Sequence, residues 1–449
     1  MIKVLEYKRA LLPAFVLLTA ICYYWLSYVT IRENFIQLVT LFTILFSIYF
    51  CIYKYYSGSY FKSLIAAGIL FRILLLFSVP HLSDDVYRFI WDGRLAANGI
   101  NPFSHLPSEV MQMPPITGVT NELYQQLNSP GYYTIYPPVL QGIFWLAGIL
   151  VPENVFTAII FLKIIVLLFE AGVLILLIHI LKKISLPRWL SLLYFLNPLM
   201  IVELTGNVHF EGVMIFFVLL SLLLLLQNKW RGSAVFIGFA IATKIIPALF
   251  LPLLIRHLGW KKGLKYCLLC GLTTLVLFLL LFDATAIHNL LNSIELFFRR
   301  FEFNASLYYI VRWVGTMITG YNIIGLAGPV LSFIAACIIV FISFGGKEIF
   351  IQNFFSKLLF IITVWFLFAT TVHPWYICMP VALAVITPYR YPLVWSFTVI
   401  LSYAAYQTTP VKENLWLVAA GYFIWMMYAF YELKYKAKSI TVQELQLSS

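Results

Sequence analysis

Long apolar runs recur along the chain at about the length that a helix needs to cross a lipid bilayer. They extend from Leu11 to Phe430, and no polar stretch between them is long enough to make a second domain. The hydrocarbon core takes about 20 apolar residues per helix, and a helix satisfies its own backbone hydrogen bonds there. Only 11% of the residues are charged, against about 25% in soluble domains. The sequence therefore predicts an all-α polytopic membrane protein.

The apolar runs define the candidate membrane spans. These are 11–29, 35–53, 63–79, 155–181, 189–205, 211–227, 233–256, 266–282, 322–344, 354–371, 376–388, 392–408 and 415–434. The run 233–256 contains Lys244 and Pro247, so it is expected to be either one span or a pair of short helices. Helix breaks at membrane depth are tolerated where they line a cavity. The bundle is thus expected to have about 12–14 transmembrane helices.

Positive charge predicts the orientation of the chain, because Lys and Arg are enriched in cytoplasmic loops. Lys3, Lys8 and Arg9 place the N-terminus in the cytoplasm, and the basic residues near Lys436 place the C-terminus there too. The excess of 30 Lys and Arg over 18 Asp and Glu then serves topology. Nucleic-acid binding is not expected, because the sequence has no basic stripe.

This orientation leaves residues 80–154 as a large first extracytoplasmic loop. Its apolar stretch 136–151 is short and opens with Pro137 and Pro138. We expect this stretch to lie on the outer membrane surface, because a crossing would move Lys182 and Lys183 outside. One membrane domain is predicted over 1–438, followed by a short cytoplasmic tail over 439–449.

Four segments on the extracytoplasmic face combine ionisable groups with aromatic residues. They are Ser83–Arg94 with Gly99–Phe103, Gly206–Gly212, Arg299–Asn304 and Thr370–Tyr376. Each has an ordinary structural explanation, since aromatic residues form interfacial belts and aspartates cap helices. Asp92 with Arg94 is explicable as a surface pair, His209 as a structural residue, and His373 as the end of a helix. These explanations do not account for three acids within nine residues beside two arginines.

These residues resemble the GT-C superfamily of membrane glycosyltransferases, and in particular the bacterial polyprenol-phosphate-mannose-dependent mannosyltransferases. The motifs that carry the resemblance are Asp85–Phe89 with Trp91–Arg94, Gly99–Phe103, Tyr136–Pro138, Asn197–Leu199, Gly206–Gly212 and His373–Tyr376. The resemblance implies a GT-C-like bundle whose first large external loop carries a catalytic acid. It favours Asp85 over Asp84 for that role, and it implies a bacterial inner (plasma) membrane enzyme of cell-envelope glycan synthesis.

The sequence departs from the family pattern in two places. Two helices are added before the large loop. Asp84 and Asp85 are adjacent rather than in a D-x-D arrangement, which argues against a nucleotide-sugar and metal site. The implied donor is a polyprenyl-phosphate sugar and the implied acceptor a glycan or glycolipid, with inversion at the sugar and no cofactor or metal.

The chemistry of such a transfer assigns roles to the candidate residues. Asp85 is expected to be the general base, with Arg88 one helical turn away on the same face, where its charge would lower the carboxyl pKa. Asp84 is expected to cap the helix or bind acceptor, with the reverse assignment of the two acids as an alternative. The residues expected to bind substrate are Arg88, Asp92, Arg94, Asn101, Tyr136, His209, Glu211, Lys244, Arg299, Arg300 and His373. His209, Glu211 and Lys244 are expected to line one cavity with Asp85.

A transporter or flippase of lipid-linked sugars is the alternative function. Lys163, Glu170, Glu203 and Lys244 lie in apolar segments, and ionisable residues at such depth often line a pathway. A ligase or polymerase using the same lipid carriers is a third possibility. The concentration of acids in the large external loop favours the transferase.

Overall fold

The computed structural model describes residues 2–281, 284–346 and 351–447, apart from the side chains of 2–10, 284, 294–300, 351–352 and 436–447. The described chain is helical and contains no strand. One isolated bridge joins Phe303 to Thr371. The prediction of an all-α polytopic membrane protein is thereby confirmed.

The N-terminal part of the chain contains three long helices followed by the short helices of the predicted external loop. They are α1 (Ile2–Tyr28), α2 (Phe35–Tyr56), α3 (Phe61–Leu75), α4 (Asp85–Ala97), α5 (Pro107–Val110), α6 (Asn121–Gln125) and α7 (Pro138–Leu150). The middle part contains α8 (Val155–Lys183), α9 (Leu192–Phe195), α10 (Pro198–Met200), α11 (Glu211–Leu226), α12 (Trp230–Ile241), α13 (Leu251–Leu258) and α14 (Trp260–Leu279).

The C-terminal part follows the same pattern. It contains α15 (Ala284–Arg300), α16 (Leu307–Thr319), α17 (Ile324–Phe344), α18 (Ile351–Phe368), α19 (Cys378–Val385), α20 (Tyr391–Thr398) and α21 (Leu415–Leu447). Short 3₁₀ or π-helical turns adjoin several of these helices, over Arg188–Ser191, Ile201–Gly206, Ile246–Phe250, Pro374–Ile377 and Val399–Gln407.

Helix length and composition show which elements can cross a membrane unaided. Within the described ranges, five helices qualify, over Leu11–Tyr28, Phe35–Tyr56, Val155–Lys183, Trp260–Leu279 and Ile324–Phe344. The pair Arg188–Phe195 and Pro198–Gly206 qualifies as one span bent by 53°. Several other predicted spans correspond to apolar helices of 10–17 residues. The protein is therefore multi-pass, while the total of about 12–14 crossings stays a prediction.

The predicted break near Lys244 is confirmed. Helix α12 ends at Ile241, and a 3₁₀ turn begins at Ile246 before α13. Pro247 contributes to the break, because proline disfavours helical geometry in the residue before it. Lys244 therefore lies in the non-helical stretch between the two helices.

Charged side chains inside the bundle are bound by groups from neighbouring segments. Arg72 Nε donates to Glu170 Oε2 over 2.7 Å, and the Tyr194 hydroxyl donates to Glu170 Oε1 over 2.9 Å. Lys163 Nζ donates to the carbonyls of Leu75 and Ser78, each over 2.7 Å. Such partners are required because an isolated charge in a low-dielectric interior is costly. These groups act as ties between helices.

Helices α4 and α7 cross at a glycine-lined contact. A Cβ at Gly93 would lie 2.1 Å from the Phe144 carbonyl oxygen, and one at Gly148 would lie 2.1 Å from the Gly93 carbonyl oxygen. The Phe89 and Phe144 rings stack beside this contact at 4.7 Å between centroids. Only glycine permits such backbone approach. Helix α7 thus supports α4, the helix that carries the candidate catalytic acid.

Candidate active site

The first and second polar segments are joined at the start of α4. The Leu82 backbone N–H donates to Asn207 Oδ1 over 3.3 Å. The second and fourth segments meet where the His209 ring stacks on Trp375, with centroids 3.7 Å apart. Three segments that are far apart in sequence therefore share one site.

The third segment runs alongside the fourth. The Phe303 N–H donates to the Thr370 carbonyl over 3.1 Å, and the Val372 N–H donates to the Phe303 carbonyl over 2.8 Å. Asn304 Nδ2 also donates to the Val372 carbonyl over 3.0 Å. All four segments are thus in contact, as the sequence predicts. Arg299 and Arg300, expected to bind substrate, lie outside the described side chains.

Asp85 is the first residue of α4 and faces this junction. Its Oδ1 accepts a hydrogen bond from Asn128 Nδ2 over 2.8 Å, and its side chain is partly accessible. Burial raises the pKa of the Asp85 carboxyl, the negative charges of Glu211 and Asp84 raise it further, and Lys244 opposes them. A raised carboxyl pKa suits a group that must accept a proton near neutral pH.

The expected pairing of Arg88 with Asp85 is wrong. Arg88 Nε donates to Asp92 Oδ1 over 2.8 Å, four residues along the same helix. Its Nη1 donates to the carbonyls of Ser129 and Tyr132, over 3.3 and 2.9 Å. Asp92 is fully buried and needs a cation, whereas Asp85 retains access to solvent. The expected lowering of the Asp85 pKa is accordingly replaced by a rise.

Asp92 is the centre of a buried hydrogen-bond network. Besides Arg88, its carboxylate accepts from Thr134 Oγ1 over 2.5 Å and from Gln141 Nε2 over 2.9 Å. These contacts tie α4 to α7 and to the preceding loop. With its oxygens occupied and its side chain at 0% exposure, Asp92 is placed to hold the loop in shape.

Arg94 lies in the last turn of α4, and Asn101 lies in the loop that follows this helix. Arg94 Nη1 donates to the Gly118 carbonyl over 2.5 Å, and nine residues of helix separate it from Asp85, or about 13 Å. Asn101 Nδ2 donates to the Leu281 carbonyl over 2.7 Å, while its Oδ1 accepts from the Phe103 N–H over 3.0 Å. Neither side chain is brought to Asp85 in this structure.

The break after α12 places Lys244 against the second and fourth polar segments. Its ammonium forms an ion pair with Glu211 at the start of α11, and it lies 4.0 Å from the centroid of the Tyr376 ring. Glu211 is nearly buried, whereas 28% of the Lys244 side chain is exposed. The charges of both residues act on Asp85. The geometry therefore supports the expected grouping of Glu211 and Lys244 with Asp85.

A column of four rings forms the wall beside Lys244. His209 stacks on Trp375, Trp375 on His373 at 4.4 Å, and His373 on Phe303 at 4.9 Å. Burial, with the nearby charge of Lys244, lowers the pKa of His373 to about 3 and that of His209 well below its usual range. Both imidazoles are neutral at physiological pH. The charge of Lys244 acts on both rings, and they contribute uncharged surface to the site.

Tyr136 lies on the opposite side, next to α4. Its ring meets Phe89 edge-on at 4.9 Å and Phe144 at 5.7 Å. The phenol interacts electrostatically with Asp85 and Arg88. The aromatic packing fixes the Tyr136 ring, and its hydroxyl lies within electrostatic range of the Asp85 carboxylate.

Asp84 occupies the N-cap position of α4 but makes no capping hydrogen bond with its side chain. Its Oδ2 instead accepts from Arg32 Nη1 over 2.6 Å. Capping by the Asp84 side chain, one of the two roles expected for it, is therefore wrong. Arg32 lies between α1 and α2, and sequence reasoning missed it. The predicted extracytoplasmic position of its turn was the available signal, but nothing local to that turn identifies Asp84 as the partner.

Comparison with known proteins adds to this geometry. The model of the family described as alpha-(1->6)-mannopyranosyltransferase, N-terminal domain, matches residues 10–259. The alpha-(1->6)-mannopyranosyltransferase A of Corynebacterium glutamicum is 24% identical over 201 residues, 42% of this chain and 39% of that protein. The protein of the same name from Mycobacterium tuberculosis is 25% identical over 221 residues, 44% of this chain and 38% of that protein.

The chain therefore spans about two fifths of the length of the curated relatives it matches. The family match covers α4, Glu211 and Lys244, and it ends before the ring column is completed by Phe303, His373 and Trp375. Because it covers more than half of the 449 residues, the chain belongs to the alpha-(1->6)-mannopyranosyltransferase N-terminal domain family, in keeping with a GT-C-like membrane protein.

Proposed function

We propose that this protein is a membrane mannosyltransferase that moves a mannosyl group from a polyprenyl-phosphate donor to a glycan or glycolipid acceptor. The reaction would take place on the extracytoplasmic side of the bacterial inner membrane, with both termini of the chain in the cytoplasm. The relatives' name supports transfer of a mannosyl group. The observation that carries the proposal is the junction of the four segments, where Lys244 pairs with Glu211 and the charges of both act on the accessible Asp85 carboxyl.

The proposed reaction is an inverting displacement at the anomeric carbon. The acceptor hydroxyl oxygen forms a bond to that carbon while the bond from the carbon to the phosphate oxygen breaks. Asp85 accepts the hydroxyl proton, which as general-base catalysis contributes about 10²–10⁴-fold. The electron pair of the broken bond leaves with the polyprenyl phosphate. Asp85 suits this role because its side chain remains accessible and Asn128 binds its Oδ1, which leaves Oδ2 for the acceptor hydroxyl.

Lys244 is the cation we assign to the departing phosphate. Arg88 is bound to Asp92, and Arg94 is held at Gly118, so neither is positioned to meet the donor beside Asp85. Lys244 is partly exposed, and its ammonium has N–H donors beside the one that meets Glu211, so it can bind a phosphate without leaving that carboxylate. A compact ammonium suits phosphate as a point charge.

The transporter alternative has less support from the described residues. Glu203 binds the Tyr403 hydroxyl and accepts from Asn207 Nδ2 over 3.3 Å. Lys163 and Glu170 are bound to neighbouring helices, as described above. These intramembrane charges are fully buried and partnered, which is the arrangement of structural ties rather than of a lined pathway.

The function is tested with the purified protein in liposomes, radiolabelled polyprenyl-phosphate mannose and a panel of mannoside and glycolipid acceptors. We expect mannose transfer by the wild type. Asp85→Asn should abolish transfer while still binding the donor lipid, and Asp84→Asn should retain measurable activity. Lys244→Met should lower kcat as well as raise the KM for the donor, because Lys244 is assigned to the departing phosphate.

Two results would overturn the proposal. Transfer by Asp85→Asn at near the wild-type rate would remove the general base. Translocation of the donor lipid across the liposome membrane without transfer to any acceptor would instead support a flippase.

A further inference from the structure

The turn between α1 and α2 reaches the candidate active site through one side chain. Arg32 Nη1 lies 2.6 Å from Asp84 Oδ2, and Arg32 Nε lies 3.6 Å from Glu33 Oε1. The guanidinium also lies 5.3 Å from the centroid of the Tyr406 ring. Asp84 at the start of α4 and Tyr406 in the C-terminal part of the chain therefore both contact Arg32.

The position of this ion pair sets it apart from an ordinary surface pair. Asp84 directly precedes Asp85, and its charge acts on the Asp85 carboxyl in the direction that favours protonation. About a third of each paired side chain is exposed, 29% for Arg32 and 34% for Asp84, so solvent screens the pair in part. Its contribution to folding is correspondingly small, but its effect on the adjacent carboxylate is retained.

We propose that Arg32 is a positioning residue for the transfer reaction: by binding Asp84 it cancels the charge of that carboxylate and directs it away from Asp85, leaving Asp85 to act as the base. This inference rests on the proposed function. It also explains how two adjacent aspartates take different roles, because of these two only Asp84 has an arginine partner among the described side chains.

The groups that face Asp85 come from several elements. Asp84 precedes it on α4, Asn128 and Tyr136 come from the external loop, and Glu211 begins α11. Lys244 follows α12, Tyr376 lies in the Pro374–Ile377 turn, and Tyr406 lies near the end of the Val399–Gln407 turn. Of the acidic groups, Glu211 is balanced by Lys244 and Asp84 by Arg32. Removing Arg32 leaves one uncompensated negative charge next to the base.

The consequence is a shift in the acid limb of the pH–rate profile. An uncompensated neighbouring carboxylate makes the base harder to ionise. In a partly solvated setting the expected upward shift for Arg32→Ala is about 0.5–1 pH unit. The rate should recover at pH values above the shifted limb. Arg32→Lys preserves the charge and should shift the limb by less than half as much.

The second variant in the test is Asp84→Asn, alone and combined with Arg32→Ala. Alone, it leaves the exposed Glu33 as the remaining carboxylate beside Arg32 and should move the acid limb downward. In the double variant both charges are absent, and the limb should return to near the wild-type position. Arg312→Ala is the matched control, because Arg312 pairs with Glu302 at a similar exposure, 22% and 26%, and neither residue is among the groups that act on Asp85, so the limb should stay in place.

The assay is transfer of radiolabelled mannose from polyprenyl-phosphate mannose by full-length protein in liposomes, from pH 4 to pH 9. An unchanged acid limb in Arg32→Ala overturns the role of Arg32. So does a double variant that keeps the full upward shift, since loss of a purely structural tether cannot be reversed by removing Asp84. Activity in Asp85→Asn, by contrast, would refute the proposed function itself.

Discussion

Substitution of Asp92 by asparagine is expected to destabilise the fold rather than remove a substrate contact. The Asp92 carboxylate accepts from Arg88, Thr134 and Gln141 at 2.8, 2.5 and 2.9 Å, and it is fully buried. An asparagine has a single acceptor oxygen for these three donors, and it leaves the buried guanidinium without a counter-charge. Breaking one side of a buried ion pair typically costs about 3–5 kcal/mol.

The comparison variant is Asp84→Asn, which also removes one carboxylate from an ion pair with arginine. That pair is about one-third exposed, so its loss should cost less than about 1 kcal/mol. Thermal unfolding of both variants in detergent, followed by tryptophan fluorescence and by retention of a monodisperse peak, measures the difference. We expect a clearly lower Tm for Asp92→Asn and a Tm close to wild type for Asp84→Asn.

A double variant separates the ion pair from the rest of the network. Arg88→Met combined with Asp92→Asn removes both charges, so its loss of stability should be smaller than the sum of the single losses. The reasoning is refuted if Asp92→Asn unfolds at the wild-type temperature yet no longer transfers mannose. That result would make Asp92 a substrate ligand, as the sequence predicts, rather than a structural centre.

Three further predictions follow from the same site. Gly93→Ala and Gly148→Ala should each lower Tm and activity, because the added Cβ meets backbone oxygen at 2.1 Å, whereas Gly142→Ala, which has open space, should do neither; equal Tm values would contradict this. Burial raises the pKa of the Asp85 carboxyl in the folded state, so ionisation of this carboxyl at higher pH costs stability. Asp85→Asn should therefore have a higher Tm than wild type at pH 7, and this difference should disappear below about pH 4, where the carboxyl is protonated in the folded and unfolded states. A cysteine at Asn154 should react with an impermeant maleimide from outside the cell and one at Lys183 only from inside; the reverse pattern would invert the topology.

Much of the fold could be predicted from the sequence because its dominant constraint is one-dimensional. A run of apolar residues long enough to cross the bilayer must be helical wherever it lies, so the ranges 35–53 and 155–181 reappear as α2 and α8 with small changes at their ends. The break near Lys244 was predictable for the same reason, since a proline and a charge in an apolar run both oppose a continuous helix. The contact between the four polar segments could be predicted because the sequence indicates that all four lie on one side of the membrane.

The pairing of charges could not be predicted in the same way. On a helix, Arg88 lies three residues from Asp85 and four residues from Asp92, so both carboxylates are within its reach. The choice between them depends on burial, and burial depends on Thr134 and Gln141, which the chain brings to Asp92 only after α7 has packed on α4. Arg32 presents the same difficulty, because its partner is 52 residues away.

The distribution of partners distinguishes the charges that hold the fold from those that can react. Arg72, Lys163 and Asp92 are fully buried, and each is bound by several groups from neighbouring elements. Exchanging any of these contacts for substrate would leave a buried donor or acceptor unsatisfied, which is costly. Asp85 and Lys244 differ, because each is partly accessible: Asn128 binds one oxygen of Asp85, and the Lys244 ammonium has N–H donors beside the one that meets Glu211. The proposed transfer, in which a lipid phosphate would be bound and released at every turnover, requires charges of this second kind, and the charge of Lys244 acts directly on the Asp85 carboxyl.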